Sequence, residues 1–256
     1  MTQDPLSRLK SLDEAYKLIG SMASTELAAS AGTLTKAGVT NILQLCDALW
    51  LHSGDPRDPH AELTAGDCSD GFVDVLRALR YTVVSDILAY HMSRRIEDKM
   101  DELDLWSDAV GVPSIGWVIG SDHAGATFSH DVARWLSAMH DFTEKGGSDN
   151  KEQLWRRFAI GENEPVLQVE ELMTTSTTLL RVREGIRKGN PGPVNFLPFV
   201  ATLVHRSEIY EIEGGPVIYL AHYDIKKWKP EECPLCAQGS KRLKPKTHWA
   251  ELTRKA

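Results

Sequence analysis

The stretch "PVLQVEELMTTSTTLLRVREG", Pro165 to Gly185, decides the fold. Its opening, PVLQVE (165–170), is short, apolar and rich in β-branched residues, the pattern of a buried strand. From Thr178 the apolar residues return at helical spacing, and Gly189 ends the pattern. Between the two lie a pair of adjacent acids, Glu170 and Glu171, and five consecutive hydroxyl residues, Thr174, Thr175, Ser176, Thr177 and Thr178. A strand leading through such a loop into a helix is the unit of a parallel α/β sheet, and ligands of these sheets bind beyond the carboxyl ends of the strands.

The loop has the chemistry of a phosphate site. A helix start offers free backbone N–H groups and the positive end of the helix dipole, and the hydroxyls add donors. Two carboxylates touching a phosphate would repel it. They make sense at the other end of the ligand, accepting hydrogen bonds from sugar hydroxyls or helping to hold a cation. A phosphorylated sugar has that polarity. The plainer alternative is a Ser/Thr-rich helix cap preceded by two exposed acids.

Further units flank this one. SIGWVIG (114–120) reads as a buried strand and HDVARWLSAMH (130–140) as the helix after it. FLPFVATLVH (196–205) and GPVIYLAHYD (215–224) read as two more strands, so the expected fold class is α/β with helices on both faces of a parallel sheet. Upstream, LDEAYKLIGSMA (12–23) and VTNILQLCDALWL (39–51) read as helices, and residues 53–71 as loop with a short strand at AEL (61–63). YTVVSDILAYHMSRRIEDKMDEL (81–103) reads as a long amphipathic helix whose solvated face carries Arg94, Arg95, Glu97 and Asp98. The basic, Pro- and Gly-containing end (226–256) is a tail wrapped on the domain or a flexible end.

Composition narrows the class. The 256 residues are 42% hydrophobic and 25% charged, ordinary globular values. A net charge of −7 argues against broad nucleic-acid binding, which needs a basic face. No apolar run approaches a membrane span and the N-terminus has no signal-like core, so the expectation is a cytoplasmic protein without a membrane partner. Of four cysteines, Cys233 and Cys236 form one CxxC. That is half a zinc site, a redox pair or a turn, and a symmetric dimer sharing four thiolates would complete a metal site.

VLQVEELMTTSTT resembles the phosphoribosyl-diphosphate-binding motif of type I phosphoribosyltransferases. Other segments, in family order, resemble the orotate phosphoribosyltransferases: LTAGDCSDGF (63–72), VIGSDHAGATFSHDVARWL (118–136), FTEKGGSDNKEQLWRRF (142–158), LVHRSEI (203–209) and PEECPLCAQGS (230–240). The resemblance implies a type I fold with an N-terminal helical extension (1–58), an α/β domain (59–228) and a small hood with a C-terminal tail (229–256). It implies transfer of ribose 5-phosphate from phosphoribosyl diphosphate to orotate or a related acidic base, with magnesium, in pyrimidine biosynthesis. It assigns Glu170 and Glu171 to the ribose and, indirectly, the metal. Thr174, Thr175, Ser176, Thr177 and Thr178 go to the 5′-phosphate, and Ser121, Asp122 and His123 to pyrophosphate. Thr64, Gly66 and Arg206 go to the base. Lys145 is the implied catalytic residue of a mobile loop in which Lys151, Arg156 and Arg157 also lie. Small-molecule substrates and a homodimer complete the expectation.

The chain also departs from the family. Ser176 and Thr177 stand where glycine is usual, which implies some backbone strain alongside an added donor. Glu171 replaces an aspartate, moving its carboxylate by roughly one 1.5 Å bond. Asp122 and His123 replace small residues beside the pyrophosphate, where a negative charge needs a magnesium ion or a lysine between. Asp67 and Cys68 stand near the expected base pocket. These changes define a second reading, a non-catalytic relative that senses phosphoribosyl diphosphate or a nucleotide.

Overall fold

The computed structural model describes residues 5–14, 17, 34–107, 114–147 and 152–253. From residue 34 onward the elements in chain order begin with α1 (Lys36–Leu45), β1 (Leu49–Leu51), β2 (His60–Glu62), β3 (Cys68–Ser69), β4 (Gly71–Val73), α2 (Leu76–Leu79) and α3 (Thr82–Glu102). The middle of the chain forms β5 (Trp117–Gly120), α4 (Ala124–Leu136), β6 (Met139–Phe142), β7 (Glu144–Gly146), β8 (Glu152–Leu154), β9 (Val166–Met173) and α5 (Thr177–Gly189). The rest forms β10 (Phe196–His205), β11 (Glu211–Ile212), β12 (Gly215–His222), β13 (Lys227–Trp228), α6 (Pro234–Ala237), β14 (Arg242–Leu243) and α7 (Pro245–Leu252).

The main sheet has the order β11-β12-β10-β9-β5-β6. All its pairings are parallel except the edge pair β11–β12. The fold is therefore α/β with a mostly parallel central sheet, as the strand–loop–helix rhythm predicts. Neighbouring residues of a strand point to opposite faces, and the two faces have separate cores. Val118, Leu167, Val169, Ala201 and Leu203 join one large cluster with α1, α3 and α4. Trp117, Ile119 and Val166 join the opposite cluster, where Val182 and Ile186 of α5 and Trp155 complete it.

The helix at 82–102 and the strand at 196–205 coincide with their sequence patterns. Three other boundaries move. Residues 39–51 are not one helix: α1 ends at Leu45, Asp47 turns the backbone at φ 56°, and LWL becomes β1. Nor does the helix after β5 run to His140. Ser137, at φ 53°, ends it, and Met139–Phe142 pair with β5 as an edge strand. The helix also begins earlier, at Ala124. Lys151 and most of the stretch read as the first helix (12–23) lie outside the described residues.

A second, small sheet, termed the hood, has the order β13-β3-β2-β14 and joins residues 60–69 to residues 227–243. Residues 53–71 thus supply two strands of it, and the basic end is wrapped onto it. Trp228 pairs with Cys68 and Leu243 with Ala61.

Candidate functional site

Adjacent strands β5 and β9 send the chain in opposite directions. β5 leads through α4, on one face, to β6; β9 leads through α5, on the other face, to β10. Such a switch point opens a crevice at the carboxyl ends of the two strands. A cleft of about 480 Å³ lies there, lined by Ser121, Asp122, His123, Lys145, Glu170, Glu171, Thr178 and Arg181, together with residues 74–76 and Gln153.

The two acids behave differently. Glu170 is buried, and its carboxylate accepts hydrogen bonds from the Ser121 N–H (3.1 Å) and hydroxyl (2.6 Å). Burial, reinforced by the neighbouring Glu171 charge, pushes its carboxyl well above the usual range. Burial raises the Glu171 carboxyl too. With both carboxyls ionised the Glu171 Oε2 is buried without a hydrogen-bond donor, and a protonated Glu170 carboxyl is the neighbour that can bond to Glu171. An acceptor of that kind calls for a donor or a cation from a ligand.

Two glycines let the β5 loop close on these acids. A Cβ on Gly125 would lie 2.5 Å from Ser121 Oγ and 2.8 Å from Glu170 Oε2. One on Gly120 would lie 2.5 Å from the Gly125 carbonyl. Between them, His123 takes φ 59°, ψ −115°, a conformation that non-glycine residues avoid, with its side chain exposed. That kink aims the chain into the start of α4.

Asp122 is neutralised by its surroundings. It accepts from Gln153 Nε2 at 3.1 Å, pairs with Lys145 Nζ at 3.1 Å and also meets His123 Nδ1. Burial pushes its carboxyl up, but the hydrogen bonds from Gln153 and Lys145 outweigh it and hold it below the usual carboxylate range. The lysine that a negative charge requires here is therefore present, carried on β7.

The phosphate-type loop is unstrained. Ser176 sits at φ −75°, ψ −8°, and none of residues 174–178 has positive φ. The strain expected from losing glycine is absent, because no left-handed conformation is required. Ser176 makes no side-chain cap on α5, so the plain capping alternative fails for this residue. Thr174, Thr175, Thr177 and Thr178 are exposed, and Thr178 reaches the cleft.

Other predicted residues stand outside the cleft. Thr64 and Gly66 form the β2–β3 turn, where the Gly66 carbonyl accepts from Arg242. Asp67 pairs with Lys229 at 2.7 Å and Cys68 faces Cys236, and neither lines the cleft. Arg206 follows β10, its N–H bonded to the Met173 carbonyl at the end of β9. Its Nε is buried without a partner, and burial pulls the guanidinium below its usual range against the Asp70 charge. Arg157 pairs with Asp141 and Glu144 and Arg156 is exposed; neither lines the cleft. Sequence reasoning missed Arg181 and Gln153. Arg181 was legible: it lies three residues after Thr178 on α5, hence on the same helix face. Gln153 was not, because only the β7–β8 hairpin brings it to Asp122.

The chain is 30% identical over 186 residues to orotate phosphoribosyltransferase of Caldanaerobacter subterraneus, a match covering 73% of this chain and 87% of that protein. It is 28% identical over 186 residues to the orotate phosphoribosyltransferase of Heliobacterium modesticaldum, covering 73% and 88%. Among solved structures, orotate phosphoribosyltransferase from Aeropyrum pernix overlays with a TM-score of 0.44 at 16% identity, covering 72% of this chain and 93% of that one. No family model matches.

Proposed function

This chain belongs to the phosphoribosyltransferase family, with orotate phosphoribosyltransferases as its relatives, and from that premise we propose that it transfers ribose 5-phosphate from phosphoribosyl diphosphate to orotate or a related acidic nitrogen base. In the reaction the bond from ribose C1 to the pyrophosphate oxygen breaks, pyrophosphate leaves with the electron pair, and the base nitrogen bonds C1. The protein's task is to hold both partners in line and to neutralise the departing charge.

The observation that carries this reading is the convergence of Lys145, Arg181 and Thr178 with Glu171 around one cleft at the switch point. The unpartnered Glu171 oxygen accepts from the ribose hydroxyls, while Glu170 acts as a positioning residue that anchors the loop through Ser121. Thr174–Thr178 and the start of α5 receive the 5′-phosphate. Lys145 and the N–H groups at the start of α4 face the pyrophosphate, and Lys145 exchanges its Asp122 partner for it. The buried, unpartnered Arg206 Nε suits a carboxylate on the base.

Magnesium fits this donor set. The orphaned Glu171 oxygen and Asp122 are hard carboxylate ligands that would hold it together with substrate oxygens, where it would neutralise pyrophosphate charge. The reading includes a homodimer and a cytoplasmic setting; among the described residues no helix is long and apolar enough to cross a membrane.

Calorimetric titration with phosphoribosyl diphosphate and magnesium, followed by orotate, tests the proposal. Binding with loss of orotate ultraviolet absorbance is the expected result. Binding without turnover across a panel of acidic bases would leave the sensor reading, and no binding would remove both.

A further inference from the structure

The hood holds a second constellation, none of whose members lines the cleft. His60 of β2, Cys68 of β3, and Cys233 and Cys236 around α6 each direct one ligand atom to a common point, all within 4.8 Å of one another. His60 and Cys68 are fully buried and Cys233 nearly so. We propose that these four residues bind one zinc ion, and that the ion fastens the C-terminal segment to the hood.

The spacing fits a tetrahedron. Zinc bonds of the usual lengths to sulfur and imidazole nitrogen set edges of about 3.8 Å between sulfurs and about 3.6 Å between sulfur and nitrogen. Cys68 Sγ lies 3.6 Å from Cys236 Sγ. His60 Nε2 lies 3.7 Å from Cys233 Sγ and 3.4 Å from Cys236 Sγ.

The surroundings orient the ligands. The Ser240 hydroxyl donates to the Asp58 carbonyl at 2.7 Å, so toward His60 Nδ1, 2.8 Å away, it can only accept. That holds the proton on Nδ1 and leaves the Nε2 lone pair facing the three sulfurs, the arrangement found around metal-bound histidines. The Cys236 N–H points at Cys233 Sγ at 3.5 Å, a donor suited to a thiolate. A redox CxxC has no use for a third cysteine and an oriented histidine converging on it. Cys46, buried in the main core, takes no part.

The hood also needs such a fastening. Its four strands are two or three residues long. Its core is small, with Trp50, Ala61, Leu243 and Leu252 as the buried members. A sheet of that size buries too little apolar surface to be stable alone, and metals commonly serve in its place. The ligands here join residues 60–68 to residues 233–236 across most of the chain. The two further ligands that a symmetric dimer would have lent to Cys233 and Cys236 as thiolates come instead from the same chain, as the Cys68 thiolate and the His60 imidazole.

The test uses the full chain purified from zinc-supplemented cells. Plasma mass spectrometry should find about one zinc per chain. Replacing it with Co²⁺ should give the intense visible absorption of tetrahedral cobalt and thiolate charge-transfer bands in the near ultraviolet. Cys68→Ser should lose both the metal and the thiolate spectrum, whereas Cys46→Ala should keep them. A wild-type chain without zinc that shows only the weak spectrum of octahedral cobalt overturns the proposal. So does a Cys68→Ser chain with unchanged zinc content and spectrum. If Cys68→Ser fails to fold, the wild-type cobalt spectrum decides alone.

Discussion

The central sheet and the hood solve the same problem by opposite means. Each layer of the sheet is covered by helices, with fully buried side chains such as Phe128, Phe199 and Leu167. The hood has short strands and a small apolar cluster, and its deepest convergence is polar: one imidazole and three thiols. The contrast explains where the chemistry can sit. A sheet held by apolar burial tolerates an unfavourable pair of adjacent carboxyls at a strand end, the pair to which the proposed function gives the sugar. The hood has no such reserve, and its polar groups serve its own cohesion.

The strongest way to break this contrast is to remove the hood's metal. Chelation should cost the hood stability on the order of several kcal/mol while the sheet persists. Hydrogen exchange should then show β2, β3, β13 and β14 opening with β9 and β10 still protected. Uniform loss of protection would mean that hood and sheet are one cooperative unit.

At the cleft beside the sheet, Lys145→Ala should lower kcat by about 10²–10³-fold with little change in affinity for phosphoribosyl diphosphate, as expected for a group acting on charge that develops in the transition state. Equal losses in both quantities would make Lys145 an ordinary binding residue.

Glu170→Gln separates function from stability. The folded Glu170 carboxyl holds its proton to a higher pH than the unfolded one, through burial and the Glu171 charge. Below the ordinary carboxylate range both states are protonated and the variant should melt like the wild type. As pH rises from there toward the raised folded value, the wild type loses stability that the variant keeps. Without divalent cations, the variant should therefore melt higher at neutral and alkaline pH while turning over more slowly. A variant less stable at every pH would show that the Ser121 hydrogen bonds outweigh the burial cost.

The smallest effect should come from Ser176→Gly. With φ at −75°, glycine relieves nothing there, so KM for phosphoribosyl diphosphate should change less than about twofold. A large improvement would mean that the serine obstructs the phosphate.

Regular, long elements were legible because their periodicity repeats. The 21 residues of α3 and the ten of β10 each show a full pattern of apolar positions. β6 was missed because its four residues, Met139–Phe142, continue the apolar spacing of α4, and only the left-handed Ser137 marks the break. Strands β3, β13 and β14, of two residues each, have no period at all to read.

The sequence by itself determined the α/β sheet, the order of its units and the acid and hydroxyl loop of β9, because these are local patterns of polarity. Only the tertiary structure decided that Gln153 and Lys145 neutralise Asp122, that Glu170 anchors Ser121 while Glu171 stays open, and that His60 and Cys68 complete the pair Cys233 and Cys236. Those are contacts between residues up to 176 positions apart. No periodicity carries such information; it arises when strand pairing brings distant side chains to one point.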